Sequence, residues 1–326
     1  MPGSAGIPPD YPFDEGGNRS PWQQKILESI LLESVREQRR SRRWGILFKS
    51  LTFVYLFALL FVFLGDWQSA TPIPSGRYTA LIDIEGVIAA NQDASADNIV
   101  GALRAAFEDD KTAGVILRIN SPGGSPVQAG YVFDEIKRLR AKHPAIPLYA
   151  VVTDVCASGG YYIAAAADKI YANKASIVGS IGVRMDSFGF VEAMEKLGVE
   201  RRLLTSGDSK GLLDPFLPLK ESEVRHVKNM LDTIHKQFIA TVKEGRGDRL
   251  LENEQLFTGL MWTGEQGLKL GLVDELRSAS EVAREVIGAD QMRNFTPRRD
   301  LLQRVTDRLG MAMANSLLTL GAGNIR

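Results

Sequence analysis

Residues Ala113 to Asp168 read "AGVILRINSPGGSPVQAGYVFDEIKRLRAKHPAIPLYAVVTDVCASGGYYIAAAAD". The run "AGVILRIN" is short, apolar and rich in β-branched residues, which predicts a buried strand. It ends in "SPGGSP", and "AGYVFDEIKRLRAK" follows with helical periodicity. After "HPAIP" the same rhythm returns: "LYAVVTDV" predicts a strand and "SGGYYIAAAAD" a helix. A strand joined to the next through a helix implies parallel neighbours.

The rhythm extends in both directions. Upstream, "YTALIDIEGVI" predicts a strand and "SADNIVGALRAAFEDD" a helix. Downstream, "KIYANKASIVGSIGV" predicts short strands, "DSFGFVEAMEKLG" a helix, and "VERRLLTSGDSKG" a strand entering a loop. The alternation predicts an α/β fold around a mostly parallel sheet. No long-range repeat accompanies it. In "ESEVRHVKNMLDTIHKQFIATVKEGR", Val224, Val227, Leu231, Ile234, Phe238 and Val242 follow three- and four-residue steps. They predict one long helix with an apolar stripe. "LFTGLMWTGEQGLKLGLVDEL" then predicts a strand, a short helix and a final strand.

Lys+Arg and Asp+Glu balance at 39 each across 326 residues, which argues against a nucleic-acid partner. The single cysteine, Cys156, excludes an intramolecular disulfide. No His/Cys/carboxylate cluster has ligand spacing, so neither a metal nor another cofactor is expected.

The N-terminal third differs in kind. Residues 1–20 are rich in Pro and Gly and predict disorder, and a helix is expected from Ser20-Pro21 through "WQQKILESILLESVREQRR". From Trp44 to Gly65 the chain is uncharged apart from Lys49 and mostly apolar, and the span is long enough to cross a bilayer. Arg39, Arg40, Arg42 and Arg43 precede it, Asp66 follows, and Trp44 and Trp67 occupy belt positions. The charge bias puts the N-terminus in the cytoplasm and the rest outside. The long polar lead and Gln68 at a site wanting a small residue argue against a cleaved signal peptide. The expected division is residues 1–43 cytoplasmic, 44–65 anchor, 66–77 linker, 78–290 catalytic domain and 291–326 an amphipathic tail.

Ser158, at the end of a buried strand and before Gly159 and Gly160, has the company a nucleophile needs. The Gly159 amide could donate to an oxyanion, and "SPGG" supplies a second bare backbone in Gly123 and Gly124. A structural turn is the competing reading. His143, His226 and His235 all lie in polar settings without an orienting carboxylate, so the base must be sought elsewhere. A lysine serves if burial or positive surroundings lower its pKa from about 10.4. Lys210 in "LLTSGDSKGLLDPF" stands between glycines and before an apolar run that could desolvate it; Lys169 and Lys174 sit in more polar settings.

"LRINSPGG", "ASGGYYIAAAADKIYA", "GSIGV", "TSGDSKGLLDPF" and "WTGEQGLKLGLVDEL" together resemble the signal peptide peptidase A family. The resemblance covers about Tyr78 to Leu276. It implies a ClpP/crotonase-like fold of repeated β-β-α units preceded by one transmembrane helix. It further implies Ser158 as nucleophile, Lys210 as general base, Ser180 as the hydroxyl orienting the lysine, and Gly124 with Gly159 as the oxyanion hole. The half-size members that this chain resembles form homo-oligomeric rings with active sites between protomers. The implied activity is a membrane-bound serine endopeptidase acting on signal-peptide remnants outside the cytoplasm of a bacterial cell. A silent membrane scaffold and a crotonase-like acyl-CoA enzyme are the alternatives; export separates the chain from cytosolic coenzyme A.

Overall fold

The computed structural model describes residues 42–60, 76–251 and 253–297. The chain divides into two compact units at Pro72/Ile73. In the first, helix α1 (Arg42–Leu60) is long and apolar enough to cross a membrane, and none of its surface is buried against protein. Most of the expected cytoplasmic segment, the end of the expected anchor, all but the last two linker residues, and the tail after residue 297 lie outside the described residues.

The second unit follows the chain order β1 (Tyr78–Glu85), α2 (Ala96–Glu108), β2 (Thr112–Ser121), α3 (Pro126–Lys142), β3 (Leu148–Ala157), α4 (Gly159–Ala164), β4 (Lys169–Ala172) and β5 (Ile177–Gly179). Then come α5 (Val191–Leu197), α6 (Glu221–Arg246), β6 (Met261–Thr263), α7 (Gly264–Lys269), β7 (Glu275–Leu276), α8 (Ala279–Glu281) and β8 (Met292–Asn294). Among the described residues all strands form one sheet, ordered β6-β5-β3-β2-β1-β8, with β4 on β3 and β7 on β4. Every pairing is parallel except β5 with β6. This is the α/β architecture that the strand-helix rhythm predicts.

Strand periodicity explains the two cores. On β1, Ala80, Ile82 and Ile84 point to the face covered by α2, α3, α4 and α6. Leu81 points the other way, joining Ile116, Val151 and Tyr171 beneath Val282 and Ala283. The apolar stripe of α6 is buried at Val227, Phe238 and Val242 and half-buried between them. Helix α3 begins as its sequence dictates, with Pro126 at its first turn and the Ser125 side chain accepting from the Gln128 N–H.

Two expectations fail locally. Residues 199–204 form no strand, because a strand needs a ladder partner and this segment pairs with no edge of the sheet. The helix expected over 186–198 shortens to α5, which buries none of its residues and closes on Gly198 in the left-handed region, φ 68°. At the other end, β8 pairs with β1 and places residues 292–294 in the sheet, past the boundary expected at residue 290.

Strand β3 controls the site. Its first half pairs with β4 through Tyr149 to Val151, and its second half pairs with β5 through Val155 to Ala157. One edge of β3 thus hands over from β4 to β5 between Val151 and Val155, and the β5 pairing runs up to Ser158.

Candidate active site

Strands β2 and β3 run in parallel register from Val115 opposite Leu148 to Ile119 opposite Val152, and Ser121 stands opposite Cys156. Their C-terminal ends are therefore adjacent, and each releases a glycine loop at the same edge of the sheet.

Ser158 is the first residue beyond β3. Its backbone is at φ 52°, ψ −122°, a region that costs an L-residue about 1–3 kcal/mol. Two hydrogen bonds hold it there: its N–H donates to Gly179 O at 2.9 Å, and its carbonyl accepts from the Tyr162 N–H at 2.9 Å. The residue is half-buried, and its hydroxyl meets no hydrogen-bond partner among the described residues. A strained, anchored backbone presenting an uncommitted hydroxyl is what a nucleophile requires.

The "SPGG" loop packs against this serine. Gly123 has φ +97°, and a Cβ there would lie 2.6 Å from Ser158 Cβ and 2.7 Å from Gly159 N. Gly124 has φ +152°, and its Cβ would lie 2.1 Å from Ile88 O. Only glycine fits either position.

Backbone donors then sort themselves. The Gly123 N–H donates to Ser121 Oγ at 3.1 Å, and the Ser125 N–H donates to Ile88 O at 2.7 Å. Between them, the Gly124 N–H meets no acceptor among the described residues, and neither does the Gly159 N–H. These two uncommitted amides are neighbours, since a Cβ on Gly159 would fall 3.3 Å from Gly124 N.

Ser180 follows Gly179, whose carbonyl anchors Ser158, so the two serines are tied to one short strand end. It too is left-handed, φ 51°, with its N–H donating to Leu260 O at 2.8 Å. The next carbonyl, Ile181 O, is 3.1 Å from His235 Nε2 on α6. His235 is therefore half-buried beside this strand end, where the sequence suggested a surface histidine.

Lys210 is not brought to Ser158 by hydrogen bonding. It is exposed in a run of turns, its backbone N–H donates to Gly207 O at 3.1 Å, and its Nζ has no hydrogen-bond or ion-pair partner among the described residues. The expected desolvation by the following apolar run does not occur within one chain, because Leu212 and Phe216 are themselves exposed. The loop is nevertheless built. Asp214 pairs with Arg201 at 2.9 Å, and Phe216 stacks on Phe190 with ring centres 5.5 Å apart. The Phe216 N–H and the Arg201 guanidinium together hold the Asp214 carboxyl below its usual range.

Neighbouring residues have ordinary duties. Cys156 is fully buried, and burial pushes its thiol pKa up. Tyr161 is core, its hydroxyl donating to Leu272 O at 2.8 Å. Asp168 pairs with Arg140. Sequence reasoning missed Ser121, His235 and the buried Arg246–Asp274 pair. The first was visible as the residue opening "SPGG"; the other two depend on partners 54 and 28 residues away.

Comparison with known proteins places the chain among peptidases. The model of peptidase family S49 matches residues 140–292, and that of the Clp protease family matches residues 79–178. A Synechocystis sp. protein named "Putative protease slr0021" is 30% identical over 249 residues, covering 71% of this chain and 87% of that protein.

The chain belongs to peptidase family S49.

Other S49-like relatives include a protein named "Putative signal peptide peptidase SppA" from Enterococcus faecium, 30% identical over 210 residues, covering 62% of this chain and 60% of that protein. A different context appears in "Na(+)/H(+) antiporter NhaA" of Brucella melitensis, 44% identical over 212 residues. That match covers 65% of this chain but 29% of the antiporter, so the S49 chain spans less than a third of that relative's length.

Proposed function

We propose that this S49 protein is a membrane-anchored serine endopeptidase that cleaves extended apolar peptides, including signal-peptide remnants, on the outer side of the cytoplasmic membrane. The observation that carries the reading is the convergence of the strained Ser158 with the two uncommitted amides of Gly124 and Gly159. In this mechanism a neutral Lys210 amine, oriented by the Ser180 hydroxyl, takes the Ser158 proton as Oγ attacks the scissile carbonyl. The carbonyl oxygen becomes an oxyanion, and the Gly124 and Gly159 N–H groups donate to it. Lys210 then gives its proton to the leaving amine. Water, deprotonated by the same lysine, releases the acyl group and restores Ser158.

The exposed state of Lys210 supports a homo-oligomeric enzyme. Phe188, Leu197 and Leu204 of the same 183–220 segment are 78%, 78% and 97% exposed. A second copy packed on this segment would bury those side chains and desolvate the lysine together. For the anchor, the arginines before α1 and the charge asymmetry favour a cytoplasmic N-terminus.

The test is hydrolysis of casein or a fluorogenic peptide by the full chain in detergent. Wild type should be active, and Ser158→Ala and Lys210→Ala should each lose at least about a thousandfold in kcat. Equal activity in all three proteins would eliminate the Ser-Lys dyad.

A further inference from the structure

Ser121 stands directly behind the glycine loop and has no place in the mechanism above. It is the last residue of β2 and is fully buried. Its hydroxyl donates to Gly86 O at 2.6 Å and accepts from the Gly123 N–H at 3.1 Å. Both partners are loop glycines with positive φ, 78° at Gly86 and 97° at Gly123. A single hydroxyl thus links the loop after β1 to the loop after β2.

The consequence lies in where the next amides point. In "SPGGS", the Gly123 N–H is consumed by Ser121 and the Ser125 N–H by Ile88. Gly123 O is consumed by the Ile88 N–H at 2.9 Å. With the peptide groups on either side fixed, the Gly124 N–H alone is left free, and it lies beside Gly159. Without the Ser121 hydroxyl, the buried Gly123 N–H would lack a partner, whereas the exposed Gly86 carbonyl could turn to solvent. Rotation of the neighbouring peptide planes is the local way to recover one. Gly123 and Gly124 have no side chains to resist that rotation.

We infer that Ser121 is a positioning residue that holds the Gly124 amide in its oxyanion-binding orientation. The inference rests on the Ser158 peptidase reading. Its signature is selective: through the Gly124 amide, the hydroxyl affects stabilisation of the charge that develops in the transition state more than binding of the peptide ground state.

The experiment compares wild type with Ser121→Ala and with Ser121→Cys, which keeps the side-chain shape with a slightly larger atom and offers only a weak donor. Steady-state kinetics on a fluorogenic peptide are measured with the affinity of a peptide boronate, which mimics the tetrahedral intermediate on Ser158. Thermal unfolding of the full chain in detergent reports folding. Expected is a fall in kcat of about 10- to 100-fold, KM within about threefold, and a parallel loss of boronate affinity in folded protein. Unchanged kcat and boronate affinity in either folded variant would overturn the assignment. A rise in KM alone would also overturn it, as would failure of both variants to fold, since the hydroxyl would then serve the fold as a whole. A wild type that neither hydrolyses peptide nor binds boronate would instead defeat the peptidase reading itself.

Discussion

Gly123 is pressed against Ser158 so closely that one added carbon would lie 2.6 Å from the serine Cβ. Since Gly123 also has φ +97°, Gly123→Ala meets both a clash and a strained backbone. We expect a loss of about 2–4 kcal/mol in stability and of all measurable labelling of Ser158 by a fluorophosphonate. Denaturant titration and gel-based labelling check the two parts.

The strain at Ser158 can be weighed separately from its chemistry. Ser158→Gly and Ser158→Ala both remove the hydroxyl, but only glycine accepts φ 52°, ψ −122° without penalty. Ser158→Gly should be more stable than Ser158→Ala by about 1 kcal/mol while both are inactive. Equal unfolding midpoints would show that the backbone is relaxed.

Assembly is open to a direct test. Leu204, 97% exposed, lies in the segment that carries Lys210. Leu204→Arg should lower the sedimentation mass of the detergent-solubilised protein and, with it, peptidase activity by at least about tenfold. The thermal midpoint of the isolated chain should hardly move, because the residue packs on nothing within one copy.

Helix α6 is tied to the sheet by a buried pair. Arg246 Nη1 and Nη2 donate to Asp274 at 2.8 and 2.9 Å, and Arg246 Nε donates to Gly271 O at 2.9 Å. Burial works to raise the Asp274 pKa, but the hydrogen bonds from Arg246 and from the Ile170 N–H outweigh it and hold the carboxyl below its usual range. Arg246→Met leaves the largely buried Asp274 carboxylate with only the Ile170 N–H and a long 3.5 Å contact to Arg249, and should cost about 3 kcal/mol by urea unfolding.

Acid sensitivity has a second identifiable source. Glu135 on α3 accepts from Arg138 and Arg104 at 2.7 Å each, and these arginines lower its pKa from 4.5 to about 2 despite burial. A carboxyl depressed in the folded state stabilises above its unfolded pKa and loses that contribution as pH falls toward the folded value. The loss therefore runs from pH 4.5 down to about 2. Because both arginines are half-exposed, its size should be about 1–2 kcal/mol. Glu135→Gln should flatten this limb of the stability–pH curve.

Much of this was legible in the linear chain because the signals are local. Alternating apolar runs specify β1, β2 and β3, and the stripe on α6 follows its 3.6-residue period. Ser158, Gly123 and Gly124 stand out because glycine beside serine at a strand end is a backbone statement, readable without neighbours. The strand expected over residues 199–204 failed because a strand exists only with a partner, and this segment pairs with none.

The sequence by itself determined the parallel α/β plan, the apolar span and the residues at the ends of β2 and β3. Tertiary structure alone decided the conformational details: Ser158 at φ 52°, the Gly124 and Gly159 amides side by side and uncommitted, and Ser121 locking the loop from behind. It also decided that Lys210, legible as a motif, is exposed within one copy. The physical reason is common to all of these. Hydrogen-bond satisfaction and burial depend on what the rest of the chain brings alongside, and no stretch of sequence contains its own environment.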